Sequence, residues 1–251
     1  MVTAVARPDK LNPIPATLPG RRYDHIFFSA MAALLLATVF TGFARTYYLA
    51  GVFNAPLPSL IIHLHGAAFT CWILLLITQT SLVAGGRLDI HRRMGIAGFL
   101  LAGLMVLLGV LAATDSLAHR ASPTGLDPKV FYIVPLTDML IFSTLILFAF
   151  RERRNPAAHK RLILIATIAL MIAAIARWPF VFLHRNPFRA ALISYSFLLL
   201  LVAYDLWSTR KVHRVTIWAS VFLIFIQQIR FPIADTAAWQ HFAGWVQTIA
   251  K

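Results

Sequence analysis

The sequence predicts an all-α polytopic transmembrane helix bundle with seven spans, and three observations carry that prediction. Hydrophobic residues make up 59% of the 251 residues, well above the roughly 45–50% of soluble domains. Charged residues supply only 13% and gather between apolar runs. Seven such runs, at about 26–44, 59–84, 94–114, 130–150, 162–178, 190–207 and 215–234, come near or reach the roughly 20 residues that cross about 30 Å of hydrocarbon. Lipid offers the backbone no hydrogen-bond partners, so these runs are helices and not strands. The fifth and sixth runs are short, and six spans is the competing count.

The flanks fit that plan. Residues 1–25 form a basic tail with Pro8, Pro13, Pro15 and Pro19. The apolar run that follows has full span length and no convincing cleavage site, so it reads as an uncleaved first helix. Residues 26–235 hold the seven-helix domain. Residues 236–251 place Trp239, Phe242, Trp245 and Ile249 at helical spacing, which predicts an amphipathic interfacial helix.

Basic residues set the orientation. Arg7, Lys10, Arg21 and Arg22, then Arg87, Arg92 and Arg93, then Arg151, Arg153, Arg154, Lys160 and Arg161, then Arg210, Lys211 and Arg214 fall in alternate connections, 15 of the 23 Lys and Arg. The positive-inside rule then puts the N-terminus in the cytoplasm and the C-terminus outside. The expected location is a bacterial cytoplasmic (inner) membrane, crossed many times. The net charge of +14 follows from this asymmetry, and no nucleic-acid partner is expected. Cys71 is alone, so no internal disulfide forms. No Gly-rich nucleotide loop, H-E-x-x-H zinc motif or Cys ligand set is present.

Function is sought among polar side chains inside the apolar runs, because ionisable groups there are costly and turn toward protein or water. On the second helix, His65, Phe69, Trp72, Leu76 and Gln79 fall along one stripe at 100° per residue. His63 points elsewhere, since two residues turn a helix by about 200°. Asp138, Arg177, Gln227, Gln228 and Arg230 enter from the same membrane side at comparable depth. If these side chains face inward, they form one outer-leaflet pocket around His65 and Asp138. Arg177, Arg230 and His63 have the alternative of snorkelling to headgroups, and adjacent Gln227 and Gln228 cannot both point fully inward. The candidate ligand-binding residues are therefore His65, Asp138, Gln79, Trp72, Gln228 and Arg230, with His65 the candidate metal ligand.

A histidine also stands just before each odd-numbered span: His25, His91, His159 and His213. Repeated helical hairpins would produce this pattern. So would ordinary interfacial vocabulary, which predicts accessible histidines without a common ligand.

The run "HLHGAAFTCWILLLITQTSLVAGGRLDIHRRMGIAG" resembles a group of uncharacterised bacterial multi-span membrane proteins, with H-x-H-G entering one helix and G-R…H-R-x-x-G entering the next. "NPAAHKRLILIATIALMIAAIARWPF" is similar to the same group, and the resemblance covers about residues 59–180. It implies an integral membrane protein and brings no activity. The residues point first to binding of a small molecule or redox cofactor, haem b or a quinone, within the bundle. A small-solute or proton-coupled transporter with Asp138 as titrating group is the alternative. A non-catalytic membrane subunit is the third class. The lipid bilayer is the one partner common to all three.

Overall fold

The computed structural model describes residues 23–56, 58–119, 125–183 and 186–250. The basic tail with Arg7, Lys10, Arg21 and Arg22 lies outside the described residues, as does His184. The described chain is helical without strands, and seven helices are long and apolar enough to span a membrane. The chain is thus a multi-pass α-helical membrane protein.

The helices are α1 (Asp24–Phe43), α2 (Leu60–Ala84), α3 (Leu88–Ala118), α4 (Pro128–Arg151), α5 (Pro156–Ala169), α6 (Met171–Ile175), α7 (Pro187–Thr209), α8 (Arg214–Ala234) and α9 (Ala237–Ile249). A π-helical turn, Ala44–Tyr48, extends α1 into its full span. Side-chain oxygens open several helices: Ser59 caps α2, Asp127 caps α4, Asn155 caps α5 and Asn186 caps α7. Each accepts from an amide that would otherwise lack a partner at a helix start.

Every span but the second begins earlier than its apolar run suggests, and charged residues of the first two turns belong to the helices. Arg92, Arg93, Lys160 and Arg161, read from sequence as loop residues, stand inside α3 and α5. The end of the bundle where α1, α3, α5 and α8 begin is here called the basic end, and its opposite the far end.

The span Pro156–Ile175 runs through the centre, with 78% of its apolar window buried. It is α5 and α6 joined at Leu170, where the backbone turns out of regular helix. Carbonyls loosened near that break find side chains from neighbouring spans. Ser194 Oγ donates to Ile168 O at 3.3 Å and Gln227 Nε2 donates to Ala169 O at 3.4 Å. This is how irregular backbone survives at membrane depth. Gly42 lets α1 meet α6: a Cβ there would stand 2.2 Å from Ala174 O.

Helix α9 lies across the far ends of α3, α4 and α8. Ala243 and Val246 pack on Ala113, Leu117 and Tyr132, while Trp239 Nε1 donates to Lys129 O and Gln247 Nε2 to Leu117 O. Phe242, Trp245 and Ile249 stay exposed.

Candidate functional site

Three polar layers cross the bundle. The middle layer lies about 20 Å from the basic end, counting 13 residues at 1.5 Å each from Arg151 back to Asp138 and from Arg214 up to Gln227. There Arg230 Nη1 donates to Asp138 Oδ1 at 2.9 Å, and both residues are buried. Gln227 is a further neighbour of the Asp138 carboxylate. Gln227 Oε1 and Arg230 Nε are buried without partners. Gln228 points out of this cluster, and its Nε2 donates to the Tyr195 hydroxyl at 3.0 Å. One glutamine inward and one outward is what adjacent positions on a helix require.

Trp72 belongs to the same level. Its indole N–H donates to Thr167 Oγ1 at 3.1 Å, and its ring meets Phe142 edge-on with centroids 5.3 Å apart. A mid-span indole therefore faces the core and spends its one donor on the broken central span.

Nearer the far end, the His65 ring lies against Phe69, tilted by 36° with centroids 4.1 Å apart. Its Nδ1 is buried with no partner, and it lies within electrostatic reach of Arg177. Arg177 places its guanidinium over Phe43 and donates to Ala173 O. His63 faces away, is exposed, and lies beside Tyr47 with ring centroids 5.3 Å apart. The expected union of His65 with Asp138 is not what the structure forms. Asp138 is matched by Arg230, and His65 sits one layer further out beside another arginine.

Gln79, at the other end of the stripe, reaches α3. In the orientation that satisfies both neighbours, its oxygen accepts from Gly95 N at 3.1 Å and its nitrogen donates to His91 Nδ1. His159 is near enough for its charge to act on His91, and its own Nδ1 meets Ala149 O at 2.9 Å. Of the four basic-end histidines only His25 is exposed; His91, His159 and His213 are half-buried. The pattern of accessible histidines therefore holds at one position in four.

The basic end carries a network that the sequence did not disclose. Arg161 Nε donates to Asp205 Oδ1 at 3.0 Å, and Asp205 also accepts from Thr216 Oγ1 at 2.6 Å and His213 N at 3.0 Å. Arg161 and Asp205 are almost fully buried. One residue away, Lys160 Nζ pairs with Asp24 at 2.6 Å, and the Tyr204 hydroxyl donates to the same carboxylate at 2.6 Å. These contacts tie α1, α5, α7 and α8 together. Asp205 was legible only as a carboxylate inside an apolar run, which is itself the signal for a partnered group.

Among the described residues, no group of three or more His, Cys, Asp or Glu could hold a metal ion. His65 is thus not part of a three-ligand set. His119, on the same side, is engaged with Asp115, and His241 is exposed on α9. The site defines a class, a multi-pass helix bundle with buried charge pairs. No family model, no curated protein and no solved structure matches the chain.

Proposed function

We propose that the protein binds a small lipid-soluble molecule in the outer half of its bundle, a quinone ahead of haem b. The observation that carries this reading is the buried, unpartnered Nδ1 of His65. A buried polar atom without a hydrogen bond is costly, by about 1–3 kcal/mol, and a ligand carbonyl or hydroxyl at that atom would recover the loss. Phe69 and the Arg177 guanidinium beside it suit a flat, polarisable ring with an electron-rich oxygen.

Haem fits less well. Its usual two-histidine clamp needs a second imidazole opposite His65, and of the described far-end histidines His63 and His119 are turned to other partners while His241 is exposed on α9. Transport on Asp138 is also less favoured, because its carboxylate is already matched by Arg230 and neighboured by Gln227. The proposal places the basic end at the cytoplasm of a bacterial inner membrane, so His65 opens toward the outer leaflet.

Purified full-length protein should carry an extractable quinone and no Soret band. His65→Ala should remove the bound molecule while His63→Ala retains it. A Soret band lost in His65→Ala would replace quinone by haem, and equal retention in both variants would sink the His65 site.

A further inference from the structure

A second place in the molecule sets an apolar groove beside a pair of neighbouring histidines, on the opposite half of the bundle from His65. A groove of about 470 Å³ runs between α3 and α4, lined by Ile96, Phe99, Gly103, Val106, Phe142 and Phe150 among others. Its walls are almost wholly apolar, and Ile96, Leu100 and Leu147 are open to the surroundings of the bundle. In a membrane-spanning helix pair that side faces lipid, so a molecule dissolved in the bilayer enters without crossing water.

Phe99 forms part of the wall toward the basic end. That ring packs edge-on against Phe150, with centroids 5.0 Å apart, and lies 6.3 Å from the His159 ring. His159 is the groove wall's neighbour through Phe99, His91 lies close enough to His159 to feel its charge, and the partners of their Nδ1 atoms fix their tautomers. A carbonyl can only accept, so His159 Nδ1 carries the proton toward Ala149 O and Nε2 keeps a lone pair. The Gln79 nitrogen can only donate, so His91 Nδ1 accepts and the proton sits on Nε2. One imidazole thus offers an acceptor and its neighbour a donor.

We propose that the α3–α4 groove and the His91–His159 pair form one binding site for a lipid-soluble hydroquinone. A phenolic hydroxyl both accepts and donates at one atom, so it satisfies His91 Nε2–H and His159 Nε2 together. The ring lies against Phe99 and the tail occupies the groove. An oxidised quinone carbonyl accepts only, and leaves His159 unmatched. A fatty acid is ionised at neutral pH and fails at the same atom. The site therefore prefers the reduced form. It stands apart from the His65 site in position and residues, and neither depends on the other.

The test is photolabelling of the full-length protein in lipid nanodiscs with a hydroquinone bearing a diazirine on its tail. Label is expected on α3 and α4 peptides that border the groove, and unlabelled ubiquinol should compete better than ubiquinone. Gly103→Trp blocks the groove cheaply, since a Cβ at Gly103 meets nothing within 4 Å. That variant should lose label about tenfold or more while keeping the wild-type melting temperature. His91→Phe and His159→Phe should lower labelling by about tenfold as well, the scale of one or two hydrogen bonds. His65→Ala should leave the groove label intact, which separates failure here from failure of the outer site. Label that survives Gly103→Trp, label confined to α2, or equal competition by the two oxidation states overturns the proposal.

Discussion

Asp138 and Arg230 show what a single side chain can decide in this bundle. Each charge is buried, and each is tolerable only because the other is 2.9 Å away. Removing one partner strands the other, which costs about 3–5 kcal/mol in a buried pair, whereas replacing both with apolar residues of similar size is far milder. Asp138→Leu or Arg230→Met alone should therefore lower the melting temperature in detergent much more than the double variant does. Additive losses would show that the two charges are not each other's main support. His213 gives a pH-dependent counterpart at the basic end. Its Nδ1 accepts from Val215 N at the start of α8, and burial, helped by the Arg161 charge, holds its pKa below the usual value. The sign follows from that direction. Neutral imidazole is needed in the fold, so its contribution is complete above the ordinary histidine pKa, about 6.5, and is lost as pH falls through the lowered folded value. His213→Asn keeps an N-cap acceptor and cannot titrate. Melting followed from pH 7.5 to pH 5 should fall less steeply for that variant than for wild type, and parallel curves would remove His213 from the account.

At the scale of helices, hydropathy made the spans legible, and the seven runs of the sequence correspond to the seven spans. The break at Leu170 was not legible. The run 162–176 is apolar but for Thr167, with neither Gly nor Pro near Leu170 to mark a stop. The break is maintained from outside the helix, by Ser194 and Gln227. Periodicity found the face that carries Trp72, because a stripe within one helix is a local property. It did not find the partner of Asp138 or the neighbour of His65, because the rotation of one helix against another is set by packing. Arg161 was misplaced for a simpler reason: charged residues in the opening two turns of a helix look like loop until a partner such as Asp205 is known. Packing also yields a prediction for α1. Gly42 is where its backbone approaches α6, and the obstructing atom, Ala174 O, is main chain that cannot swing aside. Gly42→Ala should destabilise by about 1–3 kcal/mol, the usual cost of overpacking. Gly109→Ala meets the flexible end of Met139 instead and should cost less. Thermal melting of the two variants orders them, and a harmless Gly42→Ala would mean that α1 and α6 are held less closely.

At the scale of the molecule the two ends differ in kind. The basic end is locked by Arg161, Asp205, Thr216, Lys160, Asp24 and Tyr204 across four helices. The far end carries α9, a helix with no Asp, Glu, Lys or Arg among Ala237–Ile249, laid across the ends of α3, α4 and α8. This asymmetry bears on orientation. Basic residues are retained on the cytoplasmic side during insertion, and the basic end holds 11 of the 16 Lys and Arg among the described residues, from Arg87 to Arg214. A neutral helix with Phe242, Trp245 and Ile249 exposed suits the opposite interface, where it rests its aromatic side among headgroups. Seven spans with a cytoplasmic start put α9 outside. A C-terminal alkaline phosphatase fusion, active only after export, should therefore be active, and a C-terminal green fluorescent protein fusion should be dark. A fusion placed after Arg153, between α4 and α5, should give the opposite pair of results. If the C-terminal reporter proves cytoplasmic while the Arg153 reporter is exported, the bundle is inverted. His65 would then open to the cytoplasm, and the positive-inside rule would have failed on a bundle with 11 of its 16 described basic residues on one side.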